Sequence, residues 1–501
     1  MLRTIYDEDH ETFRSSVRGF VEKVLRPRHD EMLQSRTVPR DLWKQAGAQG
    51  LLGLSIPEEF GGAGTGDFRF NAIVAEEVAA FSLGVAACFG VHSDTCTPYI
   101  VELGSATQKQ RWLPGIADGE LICSIAMTEP SGGSDLAALK TTAHRDEDGW
   151  VINGAKTFIT NGFGCDLAIV AARTTPGAGA RGITLFVVED GTAGFARGRK
   201  LDKVGQEEAD TAELFFEDVR VPDANRIGEV DRGFAAMMRL LPQERLASAI
   251  TNVGNTAQIL AETIEYAKER SAFGQPIGSF QYNKFTIAEL VTKVEVTRAF
   301  LDQCVMAQVR GDLSPIDAAM LKWWSAEIQN DVLDHCVQLH GGYGFMNEYR
   351  VARAWRDARI SKIWGGSNEI MKELIGRDLG LWPGNRCTTG KDTSCHCPSP
   401  RSQAAPAVSG WSWLGGWRRR TALRCSTSAL SGPRMPRPNS GPMPSPSLAT
   451  SPRRPRCRPR WQRSSSDSAA STWPCPTPES APSAQPAISI PTCSPPSSTS
   501  T

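Results

Sequence analysis

Two stretches of the chain combine hydroxyl groups with glycine. The first is Ile125-Ala126-Met127-Thr128-Glu129-Pro130-Ser131-Gly132-Gly133-Ser134-Asp135, and the second is Asn153-Gly154-Ala155-Lys156-Thr157-Phe158-Ile159-Thr160-Asn161-Gly162. Thr128, Ser134 and Thr160 can bond the edge of a planar ring, Gly132 and Gly133 let backbone come close to phosphates, and Phe158 can cover a ring face. Taken alone, Ser131-Gly132-Gly133-Ser134 reads as a surface loop. Glu129-Pro130 and Asp135 beside it, with a strand pattern following, turn the reading toward binding. Arg270 is the third feature, because a guanidinium's planar fork can bond two oxygens of one anionic group at once. A lone arginine is equally a solvated helix end; the Phe273-Gly274 turn just after it favours the binding role. His340 is a lone histidine, reads as a satisfied structural group and is not nominated.

These residues need three kinds of element around them. Residues 1–120 read as a helical domain, with Phe13, Val17, Phe20, Val21 and Val24 at helical spacing. Between 121 and 230 the period changes to that of a β domain. Strands are expected at Lys140–His144, Trp150–Asn153, Thr157–Thr160, Ala168–Ala172, Ile183–Val188 and Ala212–Phe216. Helices return over 231–382, at roughly 234–270, 279–309, 314–339 and 348–380, long enough to form a bundle. The expected fold class is therefore α+β: helical domain, β-sheet domain, helical bundle. A disordered low-complexity tail over 383–501 completes it.

Composition separates that tail from the body. Beyond Leu381, fourteen arginines and Lys391 face only Asp392, Asp467 and Glu479, a net +12 that leaves −12 for the body. The tail is rich in Ser, Pro, Arg and Ala and too poor in aliphatic side chains to offset the entropy of ordering it. Its composition is what GC-rich DNA yields when read out of frame, and a frameshift or lost stop codon is the preferred account. A genuine extension is the alternative. Cys395-His396-Cys397 lacks the second ligand pair of a zinc site, so no metal is expected. The mildly acidic body gives no hint of nucleic-acid binding, and no apolar run is long enough to span a membrane. The first twenty residues, with Asp7, Glu8, Asp9 and Glu11, are no secretory signal. The six scattered body cysteines suit a reducing compartment, and a cytoplasmic location is expected.

Five stretches, in order and at matching spacing, resemble the acyl-CoA dehydrogenase family over essentially all of residues 1–382. They are the two above, Arg270-Ser271-Ala272-Phe273-Gly274-Gln275-Pro276-Ile277 with Gln281 following, Gln338-Leu339-His340-Gly341-Gly342-Tyr343-Gly344, and Ile363-Trp364-Gly365-Gly366-Ser367-Asn368-Glu369-Ile370. The resemblance implies α,β-dehydrogenation of a saturated acyl-CoA to a trans-2-enoyl-CoA, with FAD as hydride acceptor. It implies FAD contacts at Ile125, Met127, Thr128, Ser134, Phe158, Ile159, Thr160, Arg270, Phe273, Gln281, Gln338, Gly341, Gly342, Ser367 and Glu369. Ser134, Arg245 and Gly366 are the implied acyl-CoA contacts. It further implies a homotetramer, in which Arg270 and Gln281 reach the flavin pyrophosphate of a neighbouring subunit, and an electron-transferring flavoprotein as oxidant.

The chemistry needs a carboxylate beside the substrate α-carbon and donors on the thioester carbonyl. Most of the family carries that carboxylate at the position of Gly365, where this chain has no side chain. A minority branch places it earlier, and Leu241-Pro242-Gln243-Glu244-Arg245-Leu246 is similar to the long-chain acyl-CoA dehydrogenases, which use the Glu244 position. Glu244 is thus the expected base, and Gly365 keeps an N–H for the thioester oxygen. Glu369 is the rival carboxylate and ranks below it. Medium-to-long or branched acyl chains are expected, with a short branched, isovaleryl-like substrate as runner-up. An acyl-CoA oxidase and a non-enzymatic acyl-CoA or flavin binding protein are the other readings.

Overall fold

The computed structural model describes residues 3–381. The tail at 383–501 lies outside the described residues. Seven α-helices open the chain: α1 (Glu8–Phe20), α2 (His29–Ser35), α3 (Arg40–Ala48), α4 (Phe68–Phe81), α5 (Leu83–Gly90), α6 (Thr97–Leu103) and α7 (Ala106–Ala117). Eight strands follow: β1 (Cys123–Ala126), β2 (Thr142–Arg145), β3 (Gly149–Thr160), β4 (Leu167–Arg173), β5 (Ile183–Glu189), β6 (Phe195–Lys200), β7 (Thr211–Pro222) and β8 (Arg226–Ile227). The chain then returns to helix in α8 (Gly233–Glu269), α9 (Gln281–Val309), α10 (Pro315–His340), α11 (Arg350–Ala358) and α12 (Asn368–Asp378).

The strands form one sheet in the order β6-β7-β3-β2-β4-β5-β8, with β1 added parallel to β4. Both faces of its centre are covered. On β4, Leu167, Ile169 and Ala171 face helical residues such as Tyr99, Trp112 and Met237, while Ala168, Val170 and Ala172 face a second core with Trp150, Phe186 and Phe216. Side chains alternate across a strand, so double burial is what makes 167–172 of β4 and 185–188 of β5 read as continuous apolar runs. β6 escaped the sequence reading because it is a sheet edge carrying Arg197, Arg199 and Lys200, a charge pattern that protects an edge from further pairing.

Two further differences bear on function. The stretches expected as separate strands at 150–153 and 157–160 are one strand, β3, whose register against β7 slips between Ile152 and Gly154 and again between Lys156 and Ile159. The helix expected over 348–380 is broken between α11 and α12. Gly365 and Gly366 sit there at φ 62° and 88°, backbone that ends a right-handed helix and that glycine adopts at little cost.

The bundle is built around α8, which packs against α4 and α10. α4 is buried on nearly every side, including Glu76 and Glu77. Those acids are tolerated because Arg3 and Arg14 bond Glu76, and Arg14 and Arg18 bond Glu77.

Candidate active site

The turn at 125–134 is pinned from beneath. Glu129 and Gly132 exchange backbone hydrogen bonds of 3.2 and 3.0 Å, and the Thr128 carbonyl accepts from Thr157 N–H at 2.9 Å. The Glu129 carboxylate points inward, accepting from the Lys140 and Thr141 amides at 2.6 and 2.9 Å and from Lys156 Nζ at 2.9 Å. Lys156 is fully buried and also bonds the Met127 carbonyl at 3.2 Å. Burial pushes the Glu129 carboxyl up, but the two amides and the Lys156 ammonium outweigh it and hold the group down at about 2. An added Cβ on Gly132 would meet nothing within 4 Å. The turn therefore presents open backbone on a rigid base, which suits close approach to a phosphate-bearing ligand.

The bulge in β3 aims the next nominated residue. Phe158 takes φ 59°, unusual for a bulky side chain, and its ring stands 69% exposed beside this turn, while Ile159 next to it is buried in the sheet core. Bulges re-aim side chains in this way. Ile159 can therefore offer a ligand only its backbone. Thr128 and Thr160 are half-buried and Ser134 is exposed, so their hydroxyls are accessible.

A second group gathers at one end of the bundle. The Arg270 guanidinium lies 5.7 Å from the Tyr343 ring centre, beside Gly341-Gly342 at the C-terminus of α10. Arg270, Gln281, Gln338, Gly341 and Gly342 are all exposed, and Phe273 is 96% exposed. No hydrogen bond or ion pair among the described residues joins this group to the 125–134 turn. His340 is satisfied, with Nδ1 at 2.8 Å from the Cys336 carbonyl and its ring stacked on Tyr266.

The third group holds the two candidate catalytic positions. Glu244 lies within α8 and accepts a 3.1 Å hydrogen bond from the Tyr99 hydroxyl. Some of its surface is open, yet it sits deep among protein atoms, and this burial pushes its carboxyl up to about 7 against the opposing pull of Tyr99 and Arg245. Arg245 is buried, its Nε has no hydrogen-bond partner among the described residues, and burial draws its guanidinium down. Across from it, Lys322 of α10 donates to the Gly366 carbonyl at 2.7 Å and to Asn368 Oδ1 at 3.3 Å. A Cβ placed on Gly365 would lie 4.0 Å from Lys322 Cε, whereas one on Gly366 would collide with Met371 at 2.7 Å. The Gly365 N–H has no acceptor among the described residues. Ser367 caps α12 by accepting from Ile370 N–H. Glu369, on the first turn of α12, is exposed, and its own helix-end amide and Ser367 hold its carboxyl below the usual range. Of the two rival acids, only Glu244 has the raised affinity for a proton that a general base near neutrality requires.

Tyr99, Lys156, Lys322 and Asn368 were not among the nominated residues. Tyr99 stands in an apolar run and reads as core. Lys322 shares a helical face with Ser325 and Gln329, a polar face that reads as solvated in the sequence, and the structure buries all three.

Comparison with known proteins identifies the family. Models of the acyl-CoA dehydrogenase N-terminal, middle and C-terminal domains match residues 7–120, 124–219 and 231–380. The chain is 47% identical over 380 residues to the mitochondrial long-chain specific acyl-CoA dehydrogenase of Sus scrofa, covering 75% of this chain and 88% of that one. It is 36% identical over 377 residues to the mitochondrial isovaleryl-CoA dehydrogenase of Solanum tuberosum, covering 75% and 91%. The crystal structure of an acyl-CoA dehydrogenase from Geobacillus kaustophilus superimposes with a TM-score of 0.74 at 42% identity, covering 75% of this chain and all of that one. A β domain between two helical regions, three matching domain models and relatives at this level of identity together place the chain in the acyl-CoA dehydrogenase family, as an oxidoreductase of acyl-CoA thioesters.

Proposed function

We propose that the chain dehydrogenates medium-to-long or branched saturated acyl-CoAs, with Glu244 removing the α-proton and the Gly365 N–H polarising the thioester oxygen. The observation that carries this is the pairing of a side-chain-free turn at 365 with a deeply set carboxyl at 244, raised to about 7 and oriented by Tyr99. Glu244 takes the α-proton onto its carboxylate as the α,β double bond forms. FAD, when bound, supplies the acceptor for the β-hydrogen and its electron pair. Thr128, Ser134, Thr160, Phe158 and the backbone of Ile125, Met127 and Ile159 would hold its ring. Arg270, Phe273, Gln281, Gln338, Gly341 and Gly342 suit its pyrophosphate and adenosine portion, with Ser367 and Glu369 as polar contacts. Ser134, Arg245 and Gly366 would contact the acyl-CoA. The open turn at Gly132, the outward ring of Phe158 and the exposed donors beside Arg270 all fit such a ligand.

Phe273, Tyr282, Phe285, Val296 and Phe345 are large exposed apolar side chains on the bundle side, which supports a homotetramer with Arg270 acting on a neighbouring subunit's cofactor. Family membership supports an electron-transferring flavoprotein as oxidant. No helix among the described residues is long and apolar enough to cross a membrane. Six free cysteines among the described residues support the cytoplasm as location, although the Sus scrofa and Solanum tuberosum relatives are mitochondrial.

The test is anaerobic mixing of the purified yellow protein with straight and branched saturated acyl-CoAs of graded length, followed by flavin absorbance. Bleaching should be fastest with medium-to-long or branched chains. A protein that takes up no FAD, or holds FAD that no acyl-CoA bleaches, would sink the reading. In the same assay Tyr99→Phe removes a hydrogen bond that favours the charged carboxylate of Glu244. The rising limb of rate against pH should move upward from about 7, by roughly 0.5–1 pH unit. An unmoved limb would mean that Tyr99 does not govern this titration.

A further inference from the structure

Lys322 is a buried cation that forms no ion pair among the described residues. Its side chain is inaccessible, and its two acceptors are the Gly366 carbonyl at 2.7 Å and the Asn368 side-chain oxygen at 3.3 Å. Asn368 is held in turn, donating to Glu327 at 2.9 Å, and Glu327 also pairs with Lys362 at 2.6 Å. A neutral donor could bond the same carbonyl without the cost of burying a charge. The charge therefore needs a reason other than packing.

The turn it holds supplies one. On its N-terminal side the turn is fixed by the Ile363 and Trp364 amides, which donate to the Ile360 carbonyl at 2.8 and 3.1 Å. On its C-terminal side the fixed point is the Lys322–Gly366 bond. Between them lie two successive left-handed glycines and the unpartnered Gly365 N–H. Two-glycine backbone has many alternative conformations, so an amide there keeps one direction only if both ends are anchored.

We propose that Lys322 is a positioning residue of the dehydrogenation: by gripping Gly366 and Asn368 it keeps the Gly365 N–H directed at the thioester oxygen, and its charge behind that turn favours the negative charge gathering there as the α-proton leaves. This rests on the role given above to Gly365. Donors fixed before the reaction cost no reorganisation during it, which is why such groups carry large effects. The groups facing Lys322 are Arg245 on α8, Glu327 on α10 and Glu369 on α12. Burial and Arg245 draw the ammonium down to about 8, against the pull of the two acids. The charge on Lys322 is accordingly lost as pH rises through about 8, and the rate should fall with it.

Lys322→Met tests this, with three readouts. Flavin reduction by a saturated acyl-CoA should slow about ten- to hundredfold while the visible flavin spectrum stays that of wild type. The fall in rate above about pH 8 should disappear. A 3-thia-acyl-CoA, whose α-carbon can ionise but which has no β-hydrogen to transfer, should form its anion, seen as a long-wavelength band, about one pH unit higher than in wild type, a tenfold loss in ionisation. Lys322→Arg should restore part of all three. A flavin-loaded Lys322→Met protein with wild-type rate, profile and 3-thia-acyl-CoA titration overturns the proposal. If that variant does not accumulate folded, Asn368→Ala carries the same test, expecting a smaller slowing and an upward 3-thia-acyl-CoA shift; wild-type behaviour overturns the proposal equally. A wild-type protein that no acyl-CoA reduces removes the functional reading, and this proposal with it.

Discussion

Glu244→Gln should leave a yellow, folded protein whose flavin is reduced by substrate about two to four orders of magnitude more slowly, the contribution of one positioned base. Among the described residues the Glu244 side chain makes one hydrogen bond, to Tyr99, and it takes no part in pinning the turn held by Glu129, so fold and flavin binding should survive its replacement. The amide of glutamine keeps the shape and the Tyr99 contact but cannot take a proton. A second substitution sharpens the result. In Glu244→Gln with Gly365→Glu, the Cβ added at 365 would meet only Lys322 Cε beyond its chain neighbours, at 4.0 Å. Part of the rate should return, limited by the φ of 62° that glycine tolerates and glutamate resists. Stopped-flow absorbance with one acyl-CoA measures both variants. Near wild-type bleaching in Glu244→Gln would place the base elsewhere, and Glu369 would be the next residue to replace.

Lys156→Met should be the most destabilising single change in the β domain. It removes the ammonium from a buried pair in which both side chains are almost inaccessible and leaves the Glu129 carboxylate with two backbone amides and the Ser131 hydroxyl at 3.5 Å, none of them charged. Breaking a buried pair from one side costs about 3–5 kcal/mol, because the remaining charge stays desolvated. Glu129 is held at about 2, so its contribution is whole above the ordinary carboxylate range near 4.3 and is lost as pH falls toward 2. The variant should therefore lose most relative to wild type at neutral pH, and the gap should narrow on acidification. Urea unfolding followed by circular dichroism at two pH values reads this directly. The same substitution frees the turn carrying Thr128 and Ser134, so FAD should also be lost more readily on dilution. Equal stability at neutral pH would show that the pair is dispensable.

Much of the domain order was legible in the sequence, and the residues proposed to face the ligand were chosen there, both for a local reason. Strand β4 announces itself because every side chain from Leu167 to Ala172 is apolar, and α8–α10 because their lengths exceed what short loops could hide. Glycine pairs, hydroxyls and Glu-Arg-Leu at 244–246 are local patterns, and the missing side chain at 365 paired with the acid at 244 is visible without coordinates. Tertiary structure decided whatever depends on distance between segments remote in sequence. Tyr99 meets Glu244 from 145 residues away, and Lys322 meets Gly366 from 44. Neither residue type predicts such a partner, since a tyrosine in an apolar run reads as core and a lysine on a helix reads as solvated. The break between α11 and α12, the bulge that turns Phe158 outward and the elevation of Glu244 to about 7 likewise arise from packing. Sequence named the chemistry because chemistry resides in residue types; the fold set its direction and strength, because burial and alignment exist only once distant segments are in contact.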